Sequence, residues 1–582
     1  MRRLWTFFRR FLVHRKILFA GFLTIPLGSL ADIWLTLEIG DGLNRLRNSD
    51  DTTFLRGLFF SLVAIAFVRG VFRFLQRWWI VGVSRRVEAD LKQDLFDKLA
   101  SLPFAFHNKS RTGDIVSRLT SDVENIRMFL GPGMMYVLGA LTLVPTSLFV
   151  LMRLEPRLVL FMLLPIGLMG LGVRALVPRL HRISTQVQES LADISHHAQE
   201  TFAGVRVVKG YGVDAQQVGR FETASRENRD HQIRLSRVRG MMDAITHTAF
   251  NLTFLPILFV GGMAMIDRSL AAGDLFKFID LTLKVFWPVI SLGWMAGMYP
   301  RALVSAERID TLLNERAEIE EGAGTRELDE VRGELALQRV SFLYPDTSEP
   351  ALQGVSVQIP AESSLGVVGP TGSGKSTLLN LLGRMFDCQG EIRLDGVPIR
   401  DLSLSSLRGA IAYVPQDSFL FSETWRDNVG LGAPDGELSD ERLQELAERA
   451  CIAEDVAGFP DGYEQLIGER GVTLSGGQRQ RTCIARALAK DPPVLVLDDC
   501  LSAVDTETEA QLIHNLRAAG QGRTVVLAAH RLSAVRHADR ILVLNGGRVE
   551  AQGTHGELLD ASPWYRETWD RQRAEEELEE LS

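Results

Sequence analysis

The chain has 582 residues, too many for one hydrophobic core, so at least two domains are expected. Residues 1–330 carry 40 Lys and Arg against 33 Asp and Glu, whereas the remaining residues carry 24 against 39. A basic half rich in apolar runs is typical of a membrane protein, and an acidic second half argues against nucleic acid as its main partner.

The N-terminal residues 1–16 predict an amphipathic helix lying on the membrane surface. Six Arg and Lys residues and no acid occur here, interleaved with Trp5, Phe7, Phe8 and Phe11. Such a helix buries its aromatic face among the lipids and keeps its cations in water. Because positive segments stay on the cytoplasmic side, we expect the N-terminus inside the cell.

Residues 17–310 predict an all-α transmembrane domain with six spans, since a span needs about 20 mostly apolar residues. An even number of spans returns the chain to the cytoplasm, so both termini are expected there. Two long polar segments with helical spacing, 84–127 and 179–240, predict cytoplasmic extensions of the spanning helices. The six candidate spans lie near 17–39, 55–82, 130–152, 157–178, 243–266 and 275–299.

One face of the second predicted span carries three arginines spaced four residues apart, namely Arg69, Arg73 and Arg77. Charge at membrane depth is costly and tends to face water or a partner. One interpretation is that the arginines attract an anionic cargo. The other is structural: Asp32 neutralises one arginine and Arg77 reaches the membrane interface. In that structural interpretation Asp280 and Lys284 pair along their own helix.

Residues 311–332 predict a charged linker, after which short β-rich runs alternate with helical stretches. This alternation predicts an α/β domain over 333–570 with a largely parallel central sheet, followed by an acidic tail over 571–582. The predicted strands are Ser364–Val368, Ala410–Val414, Val494–Leu497, Thr524–Ala528 and Ile541–Leu544.

A phosphate-binding loop follows the first of these strands and opens a helix, in full agreement with the pattern G-x-x-x-x-G-K-[ST]. Glycines let backbone N–H groups approach the phosphates, and the helix N-terminus adds positive potential. Lys375 is expected to neutralise the β- and γ-phosphates and Ser376 to bind Mg²⁺, so the predicted ligands are ATP and Mg²⁺. The loop consists of Gly369, Pro370, Thr371, Gly372, Ser373, Gly374, Lys375, Ser376 and Thr377.

The strand Val494–Leu497 ends in two acids, Asp498 and Asp499. Ligands of open α/β sheets bind at the carboxyl ends of the strands. Asp498 is therefore predicted to hold Mg²⁺, directly or through water.

The segment Leu474-Ser475-Gly476-Gly477-Gln478 resembles the signature of the ABC transporter family, and the resemblance extends over essentially the whole chain. With six spans preceding the ATPase domain, the chain is similar to bacterial multidrug-type half-transporters. The resemblance implies a six-helix transmembrane domain fused to a P-loop ATPase domain in the bacterial inner membrane. The implied function is ATP-driven export of hydrophobic or amphipathic compounds. A lipid or peptide translocator subunit, or a homodimeric exporter with reduced ATPase activity, stays open as an alternative.

The resemblance also implies roles for residues around the nucleotide. Tyr344 matches the aromatic residue that stacks on adenine, and Gln416 matches the glutamine that senses Mg²⁺ and the attacking water. His530 matches the switch histidine near the γ-phosphate. The family places the γ-phosphate of a second subunit's ATP against the signature residues Ser475, Gly476, Gly477 and Gln478.

Four further segments resemble elements through which such transporters couple their domains and subunits. Arg111–Asp122 and Val208–Gly212 resemble the first and second cytoplasmic coupling segments. Gly468–Gly471 resembles a segment that touches the membrane domain, and Ser502–Asp505 a loop that crosses between subunits.

The chain departs from the family at Asp499, where most active members have the Glu that polarises the attacking water. The carboxylate is retained but is one methylene shorter. One interpretation is a conservative exchange with reduced activity. The other follows the heterodimeric exporters, in which one subunit carries such an Asp and keeps an intact signature while its partner has the Glu and an altered signature. That interpretation predicts a second, different half-transporter as partner.

Overall fold

The computed structural model describes residues 2–48, 54–315, 319, 325–328, 330–345, 347–434, 436–468, 471–501, 504, 506–520 and 522–580. The chain divides into two compact units. The first combines Met1–Leu99 with Gly113–Asn314, and the second combines Ala100–Thr112 with Glu315–Ser582.

Residues up to 313 are almost wholly helical, in line with the predicted all-α transmembrane domain. Short 3₁₀ and π segments interrupt the helices at Leu12–His14, Arg118–Asp122 and Phe129–Gly133. The helices are α1 (Arg2–Phe11), α2 (Arg15–Asn48), α3 (Phe54–Ser101), α4 (Phe104–Lys109), α5 (Thr112–Ser117), α6 (Val123–Met128), α7 (Met134–Leu154), α8 (Pro156–Ala203), α9 (Val205–Tyr211), α10 (Asp214–Ile266) and α11 (Ala272–Leu313).

Among the described residues, five helical stretches are long and apolar enough to cross a membrane. They cover the first five predicted spans. The sixth predicted span lies on α11, a 42-residue helix that is not among these five. Its longest uncharged stretch, 285–300, includes two Trp, two Pro, two Gly, one Ser and one Tyr, which lower its mean hydropathy.

The two polar segments predicted as cytoplasmic extensions are helical continuations of the long helices, since α3, α8 and α10 have 48, 48 and 53 residues. The first extension is not continuous, because α3 ends at Ser101 and the short α4 and α5 follow. Pro103, with φ −70° and ψ 162°, stands before α4 and cannot continue a preceding helix.

The N-terminal helix α1 has the predicted amphipathic character. Phe7 and Phe11 are buried, whereas Trp5 on the opposite face is 54% exposed. Arg3 pairs with Glu307 of α11. The aromatic face thus packs against the first unit and not among lipids as predicted, and a second cation, Arg10, pairs with Asp94 of that unit.

Polar side chains of α2, α3 and α11 meet within the first unit. Asp32, 7% exposed, pairs with Arg69 and lies 3.2 Å from Arg73 Nη2. Lys284 Nζ lies 2.8 Å from Asp280 Oδ2 and donates to the backbone oxygen of Asp32 at 2.9 Å. These ion pairs support the structural interpretation of the arginine face. The prediction had Asp32 neutralise one arginine, whereas in the structure Asp32 pairs with two, Arg69 and Arg73.

The second unit is an α/β domain, as predicted. Its strands are β1 (Leu335–Phe342), β2 (Leu352–Ile359), β3 (Ser364–Val368), β4 (Gln389–Leu394), β5 (Val397–Pro398), β6 (Ile411–Val414), β7 (Val494–Asp498), β8 (Thr524–Ala528), β9 (Arg540–Asn545) and β10 (Arg548–Gly553). Its helices after α4 are α12 (Lys375–Leu382), α13 (Leu404–Ala410), α14 (Trp425–Gly430), α15 (Asp440–Arg449), α16 (Ala453–Ala457), α17 (Gly476–Ala489), α18 (Thr506–Ala519), α19 (Leu532–Val535), α20 (His555–Ala561) and α21 (Pro563–Glu580), with a 3₁₀ turn at Gly462–Glu464.

Two sheets build this unit. The larger has the order β10-β9-β3-β8-β7-β6, and only the β10–β9 pair is antiparallel, which confirms the largely parallel central sheet. All five residues of β7 are buried, as expected of a strand covered on both faces. The smaller sheet, β2-β1-β4-β5, is antiparallel and was not predicted.

The segment Ala100–Thr112 belongs to the second unit although the sequence analysis places it in the transmembrane domain. Phe104 of α4 contacts Phe386 edge to face, with ring centroids 5.9 Å apart. The predicted coupling segment Arg111–Asp122 instead lies mostly in the first unit, where Arg308 of α11 pairs with Asp114 and reaches Asp122 Oδ2 at 3.0 Å. The segment that belongs to the second unit, Ala100–Thr112, thus largely precedes the coupling segment that the resemblance indicates, Arg111–Asp122.

Candidate active site

The predicted phosphate-binding loop connects β3 to α12, the strand–loop–helix context that its sequence requires. Gly374 begins the helix with φ +99°, and a Cβ at this position would lie 2.5 Å from the backbone oxygen of Ala351. A side chain therefore cannot be accommodated here without moving the backbone. No side chain caps the first turn of α12, so its N–H groups stay available for an anion.

Lys375 lies across this loop. Its Nζ donates to the backbone oxygens of Gly369 at 2.9 Å and Pro370 at 3.1 Å. Burial lowers the pKa of Lys375, and the negative charges of Asp499 and Asp498 oppose that shift. The ammonium group is thus held at the turn on which the phosphates are expected.

Asp498 stands at the carboxyl end of β7 and is 3% exposed. Ser376 Oγ donates to its Oδ1 at 3.0 Å, and the Tyr413 hydroxyl donates to its Oδ2 at 3.2 Å. Burial raises the pKa of Asp498, whereas both hydrogen bonds lower it. The hydroxyl and the carboxylate predicted to hold Mg²⁺ are therefore adjacent.

Asp499 follows directly and is only partly buried. Its backbone has φ +45°, a left-handed conformation that Asp tolerates better than most residues. Its N–H donates to the backbone oxygen of Ala528 on β8 at 3.0 Å. Because the backbone is fixed to the neighbouring strand, the reach of the carboxylate depends on the length of its side chain.

Tyr344 lies beside the same loop. Its hydroxyl is 3.2 Å from Thr377 Oγ1, and its ring packs edge to face against Phe342 and Phe386 with centroid distances of 4.8 and 5.5 Å. Since Phe386 also contacts Phe104, an aromatic cluster connects α4 with the predicted adenine-binding residue.

Gln416 and His530 follow β6 and β8, so they stand at the same edge of the sheet as the phosphate loop and Asp498. Both side chains are exposed. The backbone oxygen of His530 accepts a hydrogen bond from Gln572 at 2.9 Å, which fixes the start of this segment. The parallel sheet thus brings four of the predicted site elements to one edge.

The signature begins α17 with a capping box, in which the Ser475 side chain accepts from Gln478 N–H and the Gln478 side chain accepts from Ser475 N–H. Gln478 also donates to Asp455 at 2.7 Å. Leu474 is buried, but Ser475 is exposed. Gly476 and Gly477 are the first two residues of the helix and carry no side chains that could cover their own N–H groups.

Sequence reasoning did not single out Tyr413 or Asp455. Tyr413 is the one polar residue in the strand Ile411–Val414, three positions before Gln416, which is a usable signal. Asp455 gives no such signal, because its contacts with Gln478 and Arg481 depend on tertiary packing. Glu469, Arg470, Ser502, Ala503 and Asp505 of the two predicted contact segments lie outside the described residues.

The residues fit a nucleotide with Mg²⁺. Ser376 and Asp498 offer the hard oxygen ligands that Mg²⁺ prefers, at a mutual distance of 3.0 Å. The Ser373 hydroxyl in the loop is buried and has no hydrogen-bond partner among the described residues, as expected of a group that awaits a polar ligand. The glycine turn supplies backbone donors beside them.

Known proteins resemble the chain in both units. The family description "ABC transporter transmembrane region" matches residues 18–289, and the description "ABC transporter" matches residues 352–502. A multidrug resistance-like ATP-binding protein, MdlA of Escherichia coli (strain K12), is 34% identical over 522 residues, 89% of this chain and 88% of that protein. An ATP-dependent lipid A-core flippase of Pseudoalteromonas translucida (strain TAC 125) is 33% identical, over 90% of this chain and 89% of that protein.

A solved structure described as a bacterial Atm1-family ABC exporter with ATP bound superposes with a TM-score of 0.75 at 27% identity. The match covers 96% of this chain and 98% of that one. The sequence relatives and the solved structure each match this chain over most or nearly all of its length. The chain belongs to the ABC transporter family, as an exporter in which an ATP-hydrolysing domain is fused to the transmembrane domain that it drives.

Proposed function

We propose that the chain is one subunit of a heterodimeric exporter for hydrophobic or amphipathic compounds, and that its own ATP site binds nucleotide firmly but hydrolyses it slowly. The partner is a second half-transporter. The observation that carries this proposal is the combination, in one chain, of the short Asp499 with an intact signature at Leu474–Gln478.

Binding at the chain's own site follows from its donors. The loop glycines and the first turn of α12 offer backbone N–H groups to the phosphates, and Lys375 neutralises their charge. Ser376, Asp498 and Gln416 would hold Mg²⁺, together with phosphate oxygens and water. Bound Mg²⁺ supplies positive charge that stabilises the phosphates. Tyr344 offers its ring to adenine, so nothing needed for binding is missing.

Slow hydrolysis follows from Asp499. A general base must reach the water that it activates, and the backbone bond to Ala528 prevents this residue from moving closer. A carboxylate short by one methylene misses that position by more than 1 Å, which costs on the order of a hundredfold in rate. His530 keeps its place near the γ-phosphate but does not replace the base.

The signature serves the partner. Ser475 is exposed at the start of α17, and its capping box holds Gly476 and Gly477 in helical geometry. An exposed helix start of this kind binds an anion, here the γ-phosphate on the partner's loop. This chain therefore completes the partner's hydrolytic site.

The first unit supports passage across the membrane with both termini in the cytoplasm, since α1 is strongly basic and the ATPase domain is C-terminal. In the second predicted coupling segment, α9 exposes Val207 and Tyr211 at 61% and 80%. We assign these apolar side chains to contact with the partner's ATPase domain. The cell membrane of a bacterium is the expected location, because the relatives are bacterial.

Lipid translocation is the second candidate. The lipid A-core flippase matches the chain at 33% identity, nearly the 34% of the multidrug resistance-like protein. Similarity of this degree to both does not favour one cargo class, so hydrophobic compounds and lipids are both to be assayed as cargo.

The substitution Asp499→Glu tests the catalytic proposal in the purified chain, at a concentration at which the chain self-associates so that each loop meets the signature of a second copy. Restoring the missing methylene is expected to raise steady-state ATP hydrolysis roughly tenfold or more. Asp499→Asn is the matched control and is expected to give no rise. Adding Lys375→Ala to Asp499→Glu is expected to abolish the rise in ATP hydrolysis, which would assign that rise to this chain's own phosphate-binding loop. Wild-type chain that forms stable dimers alone and turns over at about 10 s⁻¹, the enzyme median, contradicts the proposal.

A further inference from the structure

Tyr413 contributes a hydroxyl to the nucleotide site that neither the loop nor the signature accounts for. It lies on β6, where it is opposite Val496 of β7 in the parallel register. Its hydroxyl donates to Asp498 Oδ2 at 3.2 Å, across 85 positions of sequence. The side chain is partly buried, so this bond lies largely out of water.

Each oxygen of the Asp498 carboxylate has one donor. Oδ1 accepts from Ser376, which is also predicted to bind Mg²⁺, and Oδ2 accepts from Tyr413. A carboxylate held by two donors on different elements has its plane fixed. Without Tyr413, the side chain is free to rotate away from Ser376 about its terminal torsion, which is broad for Asp.

A neutral donor suits this place better than a cation. Asp498 is nearly buried and is followed by the acidic Asp499, so the ionised form needs support. A tyrosine phenol is protonated at neutral pH, since its ordinary pKa is about 10. The phenol therefore stays protonated and remains a donor. It supports the negative charge without competing with Mg²⁺ for it.

We infer that Tyr413 is a positioning residue for Mg²⁺ binding, which holds the Asp498 carboxylate against Ser376 in the orientation that the ion requires. The inference rests on the proposed role of Asp498 as a Mg²⁺ residue. Outer groups that orient a metal ligand typically change metal affinity 10- to 100-fold when they are lost. Tyr413 lies on β6 and Gln416 follows the end of that strand by two residues. A movement of this end of β6 therefore also moves the Tyr413 hydroxyl, which donates to Asp498.

Mg²⁺-dependent nucleotide binding by the purified full chain tests this role without using hydrolysis. The fluorescence of trinitrophenyl-ATP reports binding, first in EDTA and then during a Mg²⁺ titration. Tyr413→Phe keeps the ring and removes only the hydroxyl. The expected result is a roughly tenfold higher Mg²⁺ concentration at half-saturation, with unchanged affinity in EDTA.

Tyr565→Phe is the matched control. It removes a phenol hydrogen bond in the same unit, to His555 Nδ1 at 2.8 Å, and is expected to leave the Mg²⁺ requirement at the wild-type value. Melting temperatures of both variants check that the domain stays folded.

Two results overturn the inference: an unchanged Mg²⁺ requirement in Tyr413→Phe, and an equal loss of binding with and without Mg²⁺, which indicates a structural role only. Asp498→Asn separates this failure from that of the proposed site. If Asp498→Asn keeps the wild-type Mg²⁺ dependence, the assignment of Asp498 is itself wrong. If it loses that dependence while Tyr413→Phe does not, only the role of Tyr413 is wrong.

Discussion

At the scale of single residues, two buried carboxylates each serve two partners. Asp32 meets Arg69 and Arg73, and Asp498 meets Ser376 and Tyr413. Removing such a carboxylate leaves both partners unsatisfied, whereas removing one partner leaves the acid with the other. The acid is therefore the costlier member to lose.

This asymmetry gives a stability prediction for the membrane half. Asp32→Asn leaves the Arg69 guanidinium, only 29% exposed, without a counter-charge. Breaking a buried ion pair costs roughly 3 kcal/mol, so the melting temperature of the detergent-solubilised chain is expected to fall by several degrees. Arg73→Gln is expected to lower it less, because Arg73 is 61% exposed and Arg69 still neutralises the acid.

Tryptophan fluorescence during heating measures both changes. A drop for Arg73→Gln as large as that for Asp32→Asn contradicts the structural account of this cluster and favours a role of the arginines toward cargo. In that case Arg73→Gln is expected to impair the transport of an anionic cargo selectively.

At the scale of elements, α4 packs into the second unit through one aromatic contact chain. Phe104 contacts Phe386, and Phe386 contacts Tyr344, whose hydroxyl is 3.2 Å from Thr377 of the phosphate-binding loop. The segment that carries α4 follows directly on α3, a 48-residue helix with a membrane-spanning part. We expect this chain of rings to transmit nucleotide occupancy to α3.

Phe104→Ala tests this expectation. Shortening the side chain removes the contact with Phe386 but touches no predicted nucleotide ligand. Made in the Asp499→Glu background, whose own site is expected to hydrolyse ATP, the variant is expected to bind ATP normally and to lose at least half of the ATPase stimulation by an amphipathic dye such as Hoechst 33342. Phe96→Ala on α3, where the ring is 62% exposed, is the control and is expected to retain stimulation. Equal stimulation in both variants contradicts the coupling role of α4.

Much of this element structure was predictable because its pattern is local. Ser364–Val368 and Thr524–Ala528 were predicted to the residue, since both are short apolar runs bounded by turn and helix signals. The antiparallel strands β1 and β2 were missed. The buried and exposed residues of β1 alternate irregularly, and register shifts interrupt its pairing at Val340, so β1 shows no clean period of two. Val355–Ile359 of β2 does alternate with a period of two and was a usable signal.

In the site, too, the parts with a local sequence pattern were predictable and the contacts between distant residues were not. The loop Gly369–Thr377 and Asp498 are recognisable from spacing and context. The bond between Tyr413 and Asp498 was not, because it depends on the pairing of β6 with β7. The ion pairs of Asp32 with the arginines of α3 belonged to one of two interpretations that the sequence left open. Helical spacing shows which residues share a face of one helix, but not which residues of another helix that face contacts.

At the scale of the whole molecule, the chain carries one phosphate-binding loop and one signature. ABC exporters act as dimers, and in the dimer that we propose each of two ATP sites combines one subunit's loop with the other's signature. Under that proposal, this chain contributes weakly to hydrolysis on its own loop and fully to hydrolysis on its partner's loop. Two identical subunits would give two equal sites, so the proposal requires a second, different subunit.

The nucleotide retained by the chain's own site tests the central claim most directly. The purified chain, at a concentration at which it self-associates, is loaded with radiolabelled ATP and Mg²⁺, passed rapidly through a desalting column and incubated. The bound nucleotide is then separated into ATP and ADP. The account predicts that ATP predominates in the wild type and ADP in Asp499→Glu. Predominant ADP on the wild-type chain, at the same rate as on Asp499→Glu, would contradict it.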